Sequence, residues 1–216
     1  MRLVLLGPPG AGKGTQAAAV KDRLGIAHIS TGDMLRGAIA AGTPLGRKAK
    51  QIVDGGNLVP DDVITEMVRE RLGAPDVKRG FLLDGYPRNL DQAKSLDSIL
   101  DGMGVTLDLV VSLKLSDAEI VSRLSGRRTC DGCGLPFHIT SAPPKYSGIC
   151  DYCGNTLSQR ADDREEVILR RLAVYAAQTA PLGAFYRDKG ILAEIDATGG
   201  ILQVQERIIA ALAGGR

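Results

Sequence analysis

The stretch Gly7-Pro8-Pro9-Gly10-Ala11-Gly12-Lys13-Gly14-Thr15 admits few settings in a folded chain. An apolar run, Leu3-Val4-Leu5-Leu6, precedes it and reads as a buried strand, and Gln16 to Leu24 reads as a helix. Strand, glycine-rich turn and helix together are the setting of a P-loop. Glycines let successive backbone N–H groups point inward at a phosphate chain, the helix N-terminus adds its positive dipole end, and Lys13 supplies a mobile cation. One position departs from the usual pattern: Gly14 stands where a Ser or Thr would hold Mg²⁺, and Thr15 follows. Metal bound with the phosphates must therefore be held partly by other groups.

Downstream, strand-like and helical patterns alternate. Ile26 to Ser30 reads as a short strand, with Ser30-Thr31-Gly32-Asp33 as a helix start. Helical pieces follow over Met34 to Ala41, Pro44 to Val53 and Asp61 to Leu72, broken at Gly55-Gly56 and Pro60. That excursion is longer than a simple crossover needs, so 30–59 is expected to form a small subdomain. Phe81-Leu82-Leu83-Asp84-Gly85 reads as the next buried strand, ending in a carboxylate. Ligands gather at the carboxyl ends of strands in open parallel sheets, which puts Asp84 near the phosphates and Mg²⁺. A helix from Asn89 or Leu90 to Leu100, a strand from Leu107 to Leu113 and a helix from Asp117 to Ser125, capped by Ser116, come next. Helical spacing resumes from Glu165 to Asp188 with a break near Pro181, Ile191 to Ile195 is a fifth strand, and Ile201 to Leu212 is an amphipathic helix. Alternation of this kind implies an α/β fold, a five-stranded, mainly parallel sheet with helices on both faces.

Between Arg127 and Asp163 the helical period vanishes. Prolines, glycines and all four cysteines of the chain fall here, as Cys130-x-x-Cys133 and Cys150-x-x-Cys153 with sixteen residues between. Two such knuckles can bring four thiolates into a tetrahedron, the zinc-ribbon arrangement. Four thiolates leave no open coordination position, so the metal is expected to be structural. Zinc is the first choice and iron or cobalt the alternatives; without metal the set would be two free dithiols or a redox pair. The neighbouring His138 reads as a surface residue. The sequence thus divides into a core (1–29, 60–126 and 164–216), an insertion at 30–59 and a lid at 127–163.

The remaining composition mainly excludes. Lys and Arg number 27 against 25 Asp and Glu, a formal charge of +2, so the total selects neither nucleic acid nor an anionic membrane. Aromatics make up 4%, too few for a stacking platform around the ribbon. No apolar run approaches the ~20 residues of a membrane span, and the N-terminal run is too short for a signal peptide. A soluble cytoplasmic protein is expected.

Gly7 to Gln16, Ser30 to Arg36, Leu58-Val59-Pro60-Asp61, Gly80 to Arg88, Gly126-Arg127-Arg128 and Arg160-Ala161-Asp162-Asp163 together resemble the adenylate kinases, in their long-lid bacterial form, over nearly the whole chain. The resemblance implies a P-loop core, an NMP-binding insertion and a lid. It also implies reversible phosphoryl transfer from MgATP to AMP giving two ADP, a role in adenine nucleotide homeostasis, and a monomer. By the same resemblance Lys13, Arg88, Arg123, Arg160, Arg171 and Asp84 are catalytic. ATP is expected on Gly10, Ala11, Gly12, Lys13, Gly14, Thr15, Arg123 and Arg127, with Pro136 and Phe137 covering its base or ribose and a backbone group at Gly199 reading its adenine. AMP is expected on Thr31, Arg36, Asn57, Leu58, Val59, Gly85, Tyr86, Pro87, Arg88, Arg160, Arg171 and Gln92. The Gln92 amide can pair with both the donor and the acceptor edge of adenine. Asp84 is expected to orient the water shell of Mg²⁺, and Asp162 to steer the lid arginines.

Overall fold

The structure is a computed structural model that describes residues 1–55 and 57–214; Gly56, half of the expected Gly55-Gly56 break, lies outside the described residues. Five strands, β1 (Arg2–Leu6), β2 (Ala27–Ser30), β3 (Phe81–Asp84), β4 (Leu109–Lys114) and β8 (Leu192–Asp196), form a parallel sheet in the order β2-β3-β1-β4-β8. Leu3 lies opposite Leu82 on one side and Leu109 on the other, so the centre of the sheet is aliphatic in every direction. Strand periodicity then sorts the residues onto two faces. Leu3 and Leu5 face a core with Ala17 and Val20 of α1 (Lys13–Leu24) and with Val204, Ile208 and Leu212 of α9 (Ile201–Gly214). Val4 and Leu6 face a larger core with α4 (Asp61–Leu72), α5 (Leu90–Gly102) and α8 (Leu182–Asp188). Each fully buried aliphatic side chain contributes about 1.5–3 kcal/mol, which is why the sheet needs no covalent support.

The helices α2 (Thr31–Ala40) and α3 (Pro44–Asp54) start on clear signals. Ser30 Oγ accepts from Asp33 N at 3.2 Å, Thr43 Oγ1 accepts from Gly46 N at 3.0 Å, and Pro44 opens α3. Their Leu35 and Ala49 join the same core as Val4 and Leu83. Position 46 must be glycine, because a Cβ there would lie 2.0 Å from the Ala38 carbonyl oxygen. After α6 (Asp117–Ser125), capped by Ser116, the lid folds as a three-stranded antiparallel sheet: β5 (Arg127–Cys130) between β6 (Pro136–His138) and β7 (Leu157–Ser158).

Two expectations shift. The fourth strand joins the sheet at Leu109, not Leu107, because Asp108 turns its carboxylate onto the Arg2 N–H at 2.5 Å before the ladder begins. The helical break falls ahead of Pro181: α7 (Glu165–Val174) runs into a wide π turn over Tyr175–Thr179, where Ala180 N donates to Tyr175 O at 2.9 Å. Pro181 instead precedes the first residue of α8, where a missing N–H costs nothing.

Candidate active site and metal centre

At the carboxyl end of β1 the chain needs backbone conformations that only glycine adopts freely: Gly10 has φ +80° and Gly12, which caps α1, has φ +89°. Gly10 is also pinned by space, since a Cβ would sit 2.8 Å from Leu124 of α6. Lys13 folds back over the loop and donates to the carbonyls of Gly7 (2.7 Å) and Pro8 (2.9 Å). Strand β1 lies between β3 and β4 where the strand order reverses direction, the crevice in which ligands of such sheets bind.

One cavity opens above this loop. Gly7, Pro9 and Lys13 form its floor; Gly32, Arg36, Asn57, Leu58 and Val59 form one wall; Gly85, Pro87, Arg88, Asp162 and Arg171 form the other. Thr31 Oγ1 donates to the Gly85 carbonyl at 2.8 Å, and Arg88 Nε donates to the same oxygen at 2.7 Å. A Cβ at Gly85, whose φ is +82°, would lie 2.8 Å from the Thr31 hydroxyl, so this close approach also demands glycine. Sequence reasoning missed several liners: Leu35, Val53, Val174, Tyr175 and Thr179. Thr179 lies in the π turn and donates to the Arg88 carbonyl at 2.6 Å; no motif marks it.

The electrostatics of the cavity are lopsided. Burial lowers Arg88 and Arg171 below the usual arginine range; Arg171 and Arg36 depress Arg88 further, Arg127 and Arg36 depress Arg171, and the carboxylates beside them, Asp84 and Asp162 for Arg88 and Asp162 and Asp163 for Arg171, offset this only in part. Arg160 falls to about 10 through burial and the nearby charges of Arg36 and Arg127. Lys13 falls to about 8, chiefly by burial; Asp84 raises it, and Arg88, Arg171 and Arg127 lower it further. A cluster in which cations destabilise one another's charge is built for a polyanion.

Several of these cations rest on acids. Arg171 Nη1 meets the Asp162 carboxylate at 2.8 Å, Arg36 meets Asp33 at 2.5 Å, and Arg127 holds the fully buried Asp163 with two bonds of 2.8 and 2.6 Å. Arg123 lies against Glu119 (2.6 Å) and the Ala197 carbonyl (3.0 Å), and Arg160 donates to Thr129 at 3.0 Å. Asp84 is 9% exposed, with Oδ2 3.7 Å from where a Cβ at position 14 would stand and 3.7 Å from His28 Nε2. Its carboxylate thus borders the space that the missing side chain at Gly14 leaves, and a hard oxygen donor there fits Mg²⁺.

Three expected contact residues do not line this cavity. Phe137 is buried in the lid with Cys130, Cys150 and Leu157, so of the Pro136-Phe137 pair only Pro136 is exposed. Leu135, Ile139, Tyr146, Ile149 and Tyr152 of the lid stay exposed, and the Phe137 ring fills its centre with Leu157 and the two buried cysteines. Gln92 is 1% exposed, outside the cavity wall, and its amide is engaged by the protein itself. Gly199, with φ +90°, follows β8 and sits against Gln203, apart from the cavity.

In the lid the four cysteine sulfurs lie within 4.8 Å of one another, with Cys130 to Cys153 at 3.3 Å and Cys133 to Cys150 at 3.6 Å. A tetrahedral tetrathiolate with metal–sulfur bonds of about 2.3 Å has sulfur–sulfur edges of about 3.8 Å, so the donors fit such an ion. None is in a disulfide. Hydrogen bonds from the side chain and backbone of Asn155, with the Cys130 thiol, lower Cys153 to about 6, while Cys133, against a backbone hydrogen bond from Leu135, is raised by desolvation and the neighbouring thiols.

Comparison with known proteins agrees with this geometry. A family model described as adenylate kinase matches residues 5–191. Curated proteins named adenylate kinase are similar along the full length: one from Acidothermus cellulolyticus is 54% identical over 98% of each chain, and one from Citrifermentans bemidjiense is 52% identical over 98% of this chain and 99% of its own. A third, from Syntrophotalea carbinolica, is 51% identical over all of both chains.

Proposed function

The chain belongs to the adenylate kinase family, the nucleoside monophosphate kinases that move a phosphoryl group between ATP and AMP, and from that premise we propose how its own residues divide the work. The observation that carries the reading is the set of mutually repelling cations around one P-loop. Phosphoryl transfer needs in-line positioning and neutralisation of the moving charge. The P-loop from Gly10 to Thr15 would hold the ATP phosphates, with Lys13 leaving the Gly7 and Pro8 carbonyls for them. Arg36, Arg88 and Arg171 would take the AMP phosphate. Arg160 would join them there or on the transferring group, and Arg123 and Arg127 would take the ATP phosphates; Arg36, Arg123, Arg127 and Arg171 would leave their present carboxylates, and Arg160 the Thr129 hydroxyl, for phosphate oxygens. One well-placed arginine is worth ~10³–10⁵ in rate.

Mg²⁺ accompanies ATP in this family and would neutralise charge on the phosphate oxygens, with Asp84 orienting its water shell. In this reading residues 30–59 form the AMP cover and 127–163 the ATP lid on the core. Thr31, Asn57, Leu58, Val59, Gly85, Tyr86 and Pro87 frame AMP, and Gln92 reads its adenine. Pro136 and the Gly199 backbone border the ATP base, and Asp162 steers Arg171. Zinc on the four cysteines would be structural, since it keeps no open position. Closure of both covers excludes water from the transferring group. Among the described residues no helix is long and apolar enough to cross a membrane; a cytoplasmic monomer fits this reading.

A coupled assay offering ATP, magnesium and each nucleoside monophosphate in turn tests the assignment. Two ADP should form from AMP far faster than any diphosphate pair forms with UMP, CMP or GMP. Protein that binds ATP yet makes no ADP from AMP would overturn it.

A further inference from the structure

The environment of Gln92 does more than bury it. Its Oε1 accepts from the Arg88 backbone N–H at 2.7 Å, and its Nε2 donates to Oδ1 of Asp61 at 2.7 Å. The other carboxylate oxygen of Asp61 accepts from Asn89 Nδ2 at 2.8 Å, and Asn89 Oδ1 in turn takes the Gln92 backbone N–H at 2.9 Å. The Tyr86 hydroxyl donates to the Gln92 carbonyl at 3.1 Å. Asp61 is the first residue of α4, and it reaches across to the first turn of α5.

These partners cannot exchange roles. A backbone N–H only donates, and a carboxylate only accepts. Rotating the Gln92 amide by half a turn would set its NH₂ against the Arg88 N–H and its oxygen against the Asp61 carboxylate, replacing two hydrogen bonds with two repulsions. One orientation is therefore enforced, and it leaves one lone pair on Oε1 and one hydrogen on Nε2. That remaining pair matches a 6-aminopurine, which donates from its amino group and accepts at N1. A 6-oxopurine shows the reverse, an acceptor at O6 and a donor at N1, and would need the forbidden rotation.

We infer that Asp61 is a positioning residue that locks the Gln92 amide in the orientation selecting 6-amino over 6-oxo purine monophosphates. The inference rests on the proposed reading of Gln92 as the adenine contact. Position 61 touches neither nucleotide in this account; it acts through Gln92, directly and by way of Asn89.

The test compares AMP and IMP, which differ at the 6-position and its consequence at N1, as acceptors for wild type, Asp61→Asn and Gln92→Leu. Asp61→Asn keeps the shape and supplies an NH₂ that can meet a rotated Gln92 oxygen. The AMP-to-IMP ratio of kcat/KM should fall by about tenfold, the scale of one misplaced buried hydrogen bond, while the KM for ATP stays within about twofold. The side-chain amide resonances of Gln92, identified by their loss in Gln92→Leu, should shift in Asp61→Asn. A ratio unchanged in Asp61→Asn but collapsed in Gln92→Leu overturns the lock and leaves the Gln92 reading standing. An unchanged ratio in Gln92→Leu overturns that reading, and the lock with it. Equal loss of kcat with both acceptors at a constant ratio would mean that Asp61 merely ties α4 to α5, and also overturns the lock.

Discussion

The segments that flank the cleft are held in opposite ways. Residues 30–59 contribute Leu35, Ala49 and Val59 to the same apolar core as Val4 and Leu83 of the sheet, so this wall is an extension of the body. The lid buries only Cys130, Phe137, Cys150 and Leu157 in a cluster of its own. Four side chains offset little of the chain entropy of ordering such a segment at ~1–2 kcal/mol per residue, and a metal held by the four sulfurs would add to what the lid's own strand pairing supplies. One wall is shaped by the hydrophobic effect shared with the sheet, while the other gathers around a four-sulfur cluster suited to a metal ion.

The largest test of that contrast is metal removal. A structural zinc contributes on the order of 10–16 kcal/mol. Chelation, or Cys150→Ser, should unfold the lid and lower kcat by about 100-fold, the scale of misplaced catalytic groups. Hydrogen exchange should show β5, β6 and β7 unprotected while the sheet stays protected and AMP affinity changes little. Metal analysis finding no stoichiometric ion in active protein would break the comparison outright.

Next in size, Leu35→Ala should cost about 2–5 kcal/mol of global stability, read as a lower midpoint of denaturant unfolding. Leu157→Ala in the metal-loaded protein should leave that main transition in place. If both move it equally, the lid is not an independent unit.

A smaller effect is expected at the lid root. Asp163→Asn keeps the shape but weakens the grip on Arg127. Because Arg127 is partly solvated and Arg171 lies 3.6 Å from the same carboxylate, a loss of about 1–2 kcal/mol is expected, below the range for fully buried pairs. Because Arg127 is proposed to leave this carboxylate for phosphate oxygens, the KM for ATP should fall by about threefold and the KM for AMP, bound through the more distant Arg171, by less; equal changes in both would show that the two walls are coupled through this pair.

The smallest effect belongs to the floor that both walls share. Burial holds Lys13 at about 8, so its charge in the free protein is lost as pH rises through that value. ATP affinity should weaken by about fourfold between pH 7 and 8.5, and calorimetry in two buffers should detect proton uptake on binding at pH 8.5. The linked stability term has the opposite sign. Between about 8 and the 10.5 of an exposed lysine the unfolded chain binds the proton that the native state has lost, so this contribution to folding grows with pH. A flat affinity profile across pH 8 would contradict the buried-lysine account.

Much of this architecture can be read from the chain because it depends on local chemistry. The runs Leu3–Leu6 and Phe81–Leu83 are unbroken apolar stretches between turn residues, and Ser30 and Ser116 cap the helices that follow them. The P-loop and the cysteine knuckles are spacing rules with a physical cause. What stayed hidden depends on the third dimension. Helical spacing runs unaltered through a π turn, so Thr179 and its bond to the Arg88 carbonyl carry no local mark. The inward turn of Phe137 follows from a core that exists only once the two knuckles meet. Asp61 and Gln92 are 31 residues apart, and nothing along the chain reveals that one holds the other.

The lid enters the body at Arg127 and leaves it at Asp163, and those two residues clasp each other. A segment whose first and last residues are joined by one two-pronged ion pair is a cassette with a standard socket. An insert that begins and ends on the same clasp would leave the strands of the sheet untouched, whatever braces its interior.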